Sequence, residues 1–308
     1  MSPARGRADL GRTINDVFPV APVLKQSMAL VSQAVCSIVG DMASILRATT
    51  AGFRRSGRVV AARLGREEQA REAMGRVREA RAAFDVHARR ELRDEHAMQM
   101  VLATALREDS TAIDVGANEG AVLESIVRIA PRGRHVAFEP IAQLHDVLAA
   151  RFPDVDVRCS AVSNEAGTAE FTHVPDAPAY SGLLQRDDLP AGTRPVERVS
   201  VRTERLDDVL AQGPVPTLIK IDVEGAELGV LQGAIETLQR HRPFVLFEHG
   251  AGGADLYGTQ PTQVFDLLDG AGLRIFDLDG GGPYSRERFE TTFTEPIWNF
   301  LAAPLATS

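Results

Sequence analysis

From about residue 96 the apolar positions switch repeatedly between a helical period and a strand period. "MQMVLATAL" (98–106) reads as a short helix. "TAIDVGAN" (111–118) reads as a strand ending in glycine, "EGAVLESIVRIA" (119–130) as a helix and "RHVAFEP" (134–140) as a strand. The next helix is "IAQLHDVLAARF" (141–152), and "DVDVRCSAVSN" (154–164) is one further strand. A polar insert then holds two strands, "GTAEFTHV" and "RVSVRTERL". Alternation resumes with "LDDVLAQG", the strand "TLIKIDVEG" (217–225), the helix "AELGVLQGAIETLQRHR" (226–242) and the strand "PFVLFEH" (243–249). A helix "TQVFDLLDGAG", a strand "LRIFDLD" and a last strand "WNFLAAP" follow. Strands alternating with helices predict a doubly wound, mainly parallel α/β sheet. The last two strands, with no helix read between them, predict an antiparallel edge.

The first third has a different texture. Leu24, Met28, Val31, Val35, Ile38, Met42 and Ile45 fall at heptad spacing. Flanking Leu30, Val39 and Leu46 widen the stripe, which fits a helix packed in a bundle better than a free coiled coil. Residues 54–95, rich in Arg, Glu and Ala, suit a long solvated helix with i,i+4 charge pairs. The expected organisation is a helical extension over 1–94, with a lid, membrane-contact or homo-oligomerisation role, and an α/β domain over 95–308.

Composition narrows the function classes. The net charge of −8 argues against a general nucleic-acid binder. Residues 1–100 carry 17 Lys and Arg against 11 Asp and Glu, whereas 101–308 carry 17 against 31, so the acid lies with the α/β part. Two distant cysteines, Cys36 and Cys159, fit a reducing, cytoplasmic setting. The most apolar early stretch is interrupted by Gln33 and Asp41 and makes a poor membrane span.

In a doubly wound sheet the chemistry sits beyond the strands' C-terminal ends. The first such end, "DVGANEG", is neither the dinucleotide glycine pattern nor a phosphate loop. It offers Asp114, expected to point into a pocket made by Gly116 and Asn118, and suits a cationic amine. Glu139, a little over 20 residues beyond Gly116, stands where an acid accepts from ribose hydroxyls. The third end, with Ser160 and Ala161, would flank adenine. A nucleoside with an amine and no phosphates describes S-adenosylmethionine. In "LIKIDVEGAE" (218–227), Lys220, Asp222 and Glu224 interrupt an apolar strand and by alternation share one face. Buried charges persist only when partnered or used. Asp222 is expected beside the methyl donor, and Glu224 and Glu227 at the start of the next helix. Glu248 and His249 close the next strand, where the imidazole suits deprotonation of a hydroxyl. The alternatives are helix-dipole complementation by Glu224 and Glu227, carboxylate pairing by Lys220, and a structural His249.

The stretches "IDVGANEG", "VAFEP", "SNEAGTAEF", "RLDDVL", "LIKIDVEGAELGVLQGA" and "RPFVLFEH" resemble the FkbM-type S-adenosylmethionine-dependent methyltransferases, over roughly residues 95–305. The resemblance implies the class I, Rossmann-like fold with a seven-stranded sheet. It also implies O-methylation of a sugar, glycan or natural-product hydroxyl. By it Asp114, Gly116, Asn118 and Glu139 carry over as cofactor contacts, and Ser181 as a substrate contact in a variable segment. Asp222, Glu224 and Glu227 are also a candidate, though not favoured, set for a divalent metal. Two rival readings are a nicotinamide-dependent oxidoreductase, which lacks its pyrophosphate glycines here, and a catalytically silent binding module.

Overall fold

The computed structural model describes residues 85–174, 180–184 and 196–305, together with Gly75, Glu79 and Ala83. The heptad pattern at 24–45 and most of the Arg/Glu-rich stretch lie outside the described residues. The first described helix, α1 (Val86–Ala105), is longer than "MQMVLATAL" alone predicts and runs through residue 94. Asp85 starts it by accepting from the Ala88 N–H (3.2 Å). Its apolar face, with Leu102 fully buried, packs against Leu218 and Leu246 of the sheet. Its polar face is tied down by Arg90 to Asp94 (2.9 Å) and to Asp279 (2.7 Å), while Asn299 Nδ2 donates to Asp94 (3.0 Å).

Behind α1 come β1 (Ala112–Val115), α2 (Ala121–Ile129), β2 (Val136–Phe138), α3 (Ala142–Arg151), β3 (Asp156–Arg158), β4 (Ala161–Val162), β5 (Gly167–His173) and β6 (Glu197–Glu204). The chain continues through α4 (Leu206–Leu210), β7 (Leu218–Ile221), α5 (Glu227–Gly233), α6 (Ile235–His241) and β8 (Phe244–Glu248). A 3₁₀ turn (Ala254–Tyr257), α7 (Pro261–Gly270), β9 (Leu273–Asp277), α8 (Arg286–Thr292) and β10 (Asn299–Pro304) complete it. The main sheet has seven strands in the order β3-β2-β1-β7-β8-β10-β9. All neighbours are parallel except β10, which is antiparallel to both β8 and β9. The four residues of β7 and of β1 are all buried, as expected for central strands covered on both faces.

Four local expectations need correction. The stretch 154–164 is not one strand: β3 joins the edge of the main sheet, and β4 joins a separate sheet of order β4-β6-β5. The predicted helix 226–242 breaks at Ala234, where Gly233 lies on the Ser163 carbonyl so closely that a Cβ would sit 2.2 Å from it. A helix, α8, intervenes between β9 and β10; Ser285 caps it by accepting from Arg288 N–H (3.2 Å), and Phe289 on it is fully buried. Finally, the expected antiparallel edge is present, since edge strand β9 pairs antiparallel with β10, but the strand that runs against all its neighbours is β10, one in from the edge between β8 and β9.

Candidate active site

Strand order reverses at β1, which lies between β2 and β7, and a cleft with about 740 Å³ of empty space opens there. The cleft lies beyond the C-terminal ends of the central strands, at the switch point where doubly wound sheets bind their ligands. Its floor and walls are mainly apolar, including Phe138, Ile141, Leu144, Val162, Phe171 and Leu183. Among the described residues its charged lining groups are all acidic: Glu139, Asp222 and Glu224.

The loop after β1 is shaped by two left-handed residues, Gly116 (φ 79°) and Asn118 (φ 49°). The expectation that Gly116 frees space for a ligand needs refining. A Cβ there would sit 2.0 Å from the Asp222 carbonyl oxygen, so the missing side chain lets the β1 loop lie directly on the end of β7. Asn118 lines the cleft, and its Oδ1 is buried with no hydrogen-bond partner. Its N–H donates to Glu139 Oε2 (2.8 Å), while the Ile141 N–H donates to Glu139 Oε1 (2.9 Å). Glu139 therefore ties the β1 and β2 loops together while facing the cleft. Burial pushes its carboxyl above the usual range, and the two N–H donors oppose that shift.

Asp114 does not point into the cleft as expected. Its side chain is fully buried, 3.2 Å from Lys220 Nζ, and Asp114 does not line the cavity. The reason is register: Asp114 on β1 stands beside Lys220 on β7. Lys220 Nζ also donates to the Gly116 carbonyl (2.8 Å) and lies 3.5 Å from Asp222. Burial alone would lower its pKa, but the charges of Asp114 and Asp222 carry it well above the usual lysine value, so it stays an ammonium. Lys220 is the cation that holds the β1 and β7 ends together, and it does not reach the cleft.

Strand alternation fails after Ile221. Asp222 remains beside the cleft with its side chain 46% exposed, but Glu224 adopts φ 57° in a tight turn and leaves the shared face. Glu224 nevertheless lines the cleft. Glu227 does not; its Oε1 accepts from the N–H groups of Val223 (3.2 Å) and Gly225 (2.9 Å), which fixes that turn from beneath. Burial raises the Glu227 carboxyl to about 7. Glu248, at the end of β8, is half-buried and within hydrogen-bonding reach of Asp222; burial first, then the charges of Asp222, Glu224 and Glu227, push its pKa up.

His249 does not face the crevice. Its ring is buried, stacked on Phe289 (5.5 Å) and tilted against Phe293 (5.3 Å), and neither nitrogen has a hydrogen-bond partner. Burial lowers its pKa to about 4. The unforeseen helix α8 brings Phe289 there, which is why the sequence alone left His249 looking available.

Ser160 and Ala161 line the cleft, but the Ser160 hydroxyl is committed to Glu204 Oε2 (2.6 Å). Glu204, unforeseen, also accepts from Arg158 (2.9 Å) and Arg202 (2.8 Å). Ser181 lines the cleft too, and its Oγ accepts from the Val174 N–H (3.0 Å). Asp222 and Glu224 do not assemble into an ion cage: among the described residues no group of three or more His, Cys, Asp or Glu is arranged to hold a metal. No helix among the described residues is long and apolar enough to cross a membrane.

Comparison with known proteins agrees with this geometry. Residues 114–275 match the model of the methyltransferase FkbM domain. The chain is 30% identical over 208 residues, 55% of its length, to the AMB antimetabolite synthetase AmbE of Pseudomonas aeruginosa, of which it covers 10%. It is 31% identical over 156 residues, 40% of its length, to the methyltransferase sdnD of Sordaria araneosa, of which it covers 60%. It is 29% identical over 192 residues, 60% of its length, to the hexuronic acid methyltransferase AglP of Haloferax volcanii, of which it covers 72%. The chain thus spans a tenth of one relative and three-fifths of another. With the matched segment running from the end of β1 through β9 and taking in every cleft-forming strand end, the chain belongs to the FkbM methyltransferase family.

Proposed function

We propose that the chain is an S-adenosylmethionine-dependent O-methyltransferase acting on a hydroxyl of a sugar, glycan or natural product. The observation that carries this is the meeting, in one cleft, of Glu139, the unpartnered Asn118 Oδ1, Asp222 and Glu224. The cofactor fits: Glu139 retains lone pairs for ribose hydroxyls, Asn118 Oδ1 lacks a donor, and Ile141, Leu144, Val162 and Ala161 form an apolar slot for a base. When bound, it supplies an electrophilic methyl on a sulfonium.

The residues of the chain then do three things. The cleft walls hold the acceptor oxygen in line with the methyl, and positioning of this kind can supply about 7–11 kcal/mol. Asp222, exposed at the end of β7, accepts the hydroxyl proton, which adds about 10²–10⁴-fold. Lys220 holds Asp222 in place from below. His249, sealed among aromatic rings, takes no part in proton transfer.

The test is calorimetric titration with S-adenosylhomocysteine. Binding on the order of micromolar, lost or strongly weakened in Glu139→Ala, is the expected result. Absence of binding to the folded wild type would sink the proposal in favour of a silent binding module.

A further inference from the structure

One wall of the cleft comes from a segment outside every strand of the main sheet. Residues 181–184 contribute Ser181 and Leu183 to the lining. On one side the segment is fastened to β5: Thr172 N–H donates to Gly182 O (2.7 Å), and Gly182 N–H donates to Thr172 O (3.1 Å). On the other side it is fastened to Tyr257, in the 3₁₀ turn after β8. The Leu184 N–H donates to Tyr257 Oη (3.0 Å). Gly182 passes so close that a Cβ there would stand 3.2 Å from Tyr257 Oη and 3.8 Å from Glu224 Cβ. The wall therefore stands beside Glu224 in the cleft.

The turn bearing Tyr257 is itself anchored to the β7 loop. Gly225 (φ 106°) and Gly253 meet backbone to backbone, and a Cβ on Gly225 would lie 2.3 Å from the Gly253 oxygen. One continuous chain of contacts thus runs from Asp222 through Gly225, Gly253 and Tyr257 to Leu184.

We infer that Tyr257 is a positioning residue that sets the distance between the Ser181–Leu184 wall and the Asp222–Glu224 end of the cleft. Gly182 is its counterpart, because a Cβ there would stand 3.2 Å from the phenol oxygen and one of the two would have to give by a few tenths of an ångström. The inference rests on the proposed methyl-transfer reading only for its functional consequence; the latch itself is a property of the free protein. Ser181 and Leu183 are then held where they line the cleft against a bound ligand.

Two measurements on the full-length chain test it. In Tyr257→Phe, amide exchange at Leu184 should accelerate in the ligand-free protein. S-adenosylhomocysteine affinity should fall about three- to tenfold, because a ligand must then order a wall that has lost about one neutral hydrogen bond. Gly182→Ala, which crowds the same phenol from the wall's side, should weaken the same affinity and serves if the first variant fails to fold. Unchanged exchange at Leu184 would overturn the latch whatever the cofactor does. Faster exchange with unchanged affinity would overturn its role in the cleft. A wild type that binds no S-adenosylhomocysteine would overturn the methyl-transfer reading and the functional half of this inference, leaving the exchange result to decide the structural half.

Discussion

At Glu227 and His249 burial works in opposite directions on stability. Glu227 has its carboxyl raised from 4.5 to about 7. The folded state holds that proton more tightly than the unfolded chain, so the stabilisation is full below pH 4.5 and is lost as pH rises through about 7. His249 is lowered from 6.5 to about 4, so its contribution is full above pH 6.5 and is lost as pH falls toward 4. Urea denaturation across pH 4–8 separates them. Glu227→Gln, which keeps an oxygen for the Gly225 N–H, should flatten the loss on the alkaline side. His249→Phe, an apolar ring among Phe289 and Phe293, should flatten the loss on the acid side, since both imidazole nitrogens are unpartnered in any case. Identical pH profiles for a variant and wild type would mean that its residue is not the source. Lys220 shows how far the sequence can be read at this scale. Its oddity in an apolar strand is visible, and carboxylate pairing is a natural reading, but the choice of Asp114 and the Gly116 carbonyl depends on which strand lies beside β7.

Among the elements, the strand-end loops are joined by backbone contacts that only glycine permits. Gly116 and Gly280 both have positive φ (79° and 91°), yet a Cβ at Gly280 meets nothing within 4 Å, whereas at Gly116 it meets the Asp222 carbonyl at 2.0 Å. Gly280→Ala should therefore cost only the left-handed strain, about 1–2 kcal/mol. Gly116→Ala should cost clearly more and abolish S-adenosylhomocysteine binding, because the β1 loop and the β7 end must separate. Equal losses in thermal stability for the two variants would contradict this account of the loop. Most elements were legible because helices bury one apolar stripe and the central strands are apolar nearly throughout. The exceptions have local causes: β3 and β4 part company at Cys159–Ser160 because two sheets compete for one run of chain, and α8 is a seven-residue helix, too short for the i,i+4 pair Phe289 and Phe293 to stand out as a stripe.

For the whole molecule, the sheet order gathers acid from separate parts of the chain at one crevice, and the described cleft lining contains no cation. A field of that sign favours uncharged or cationic acceptors over carboxylates. Under the proposed sugar O-methylation, uronic acids should be methylated at least about tenfold less efficiently than the matching neutral or amino sugars. A radiolabelled methyl-transfer panel run on the three sugar classes would show it, and a preference for the uronic acid would reverse the argument. The sequence by itself determined the α/β alternation and the family, because periodicity records which side of each element is buried and motif spacing records the loops. Only the tertiary structure decided how each polar group is spent. Asp114 and Lys220, 106 residues apart in the sequence, neutralise each other beneath the site. His249 is walled off by α8, and Tyr257 reaches Leu184 across 73 residues of chain. A side chain's chemistry is fixed by its partners, and partners that distant are chosen by the packing of the sheet.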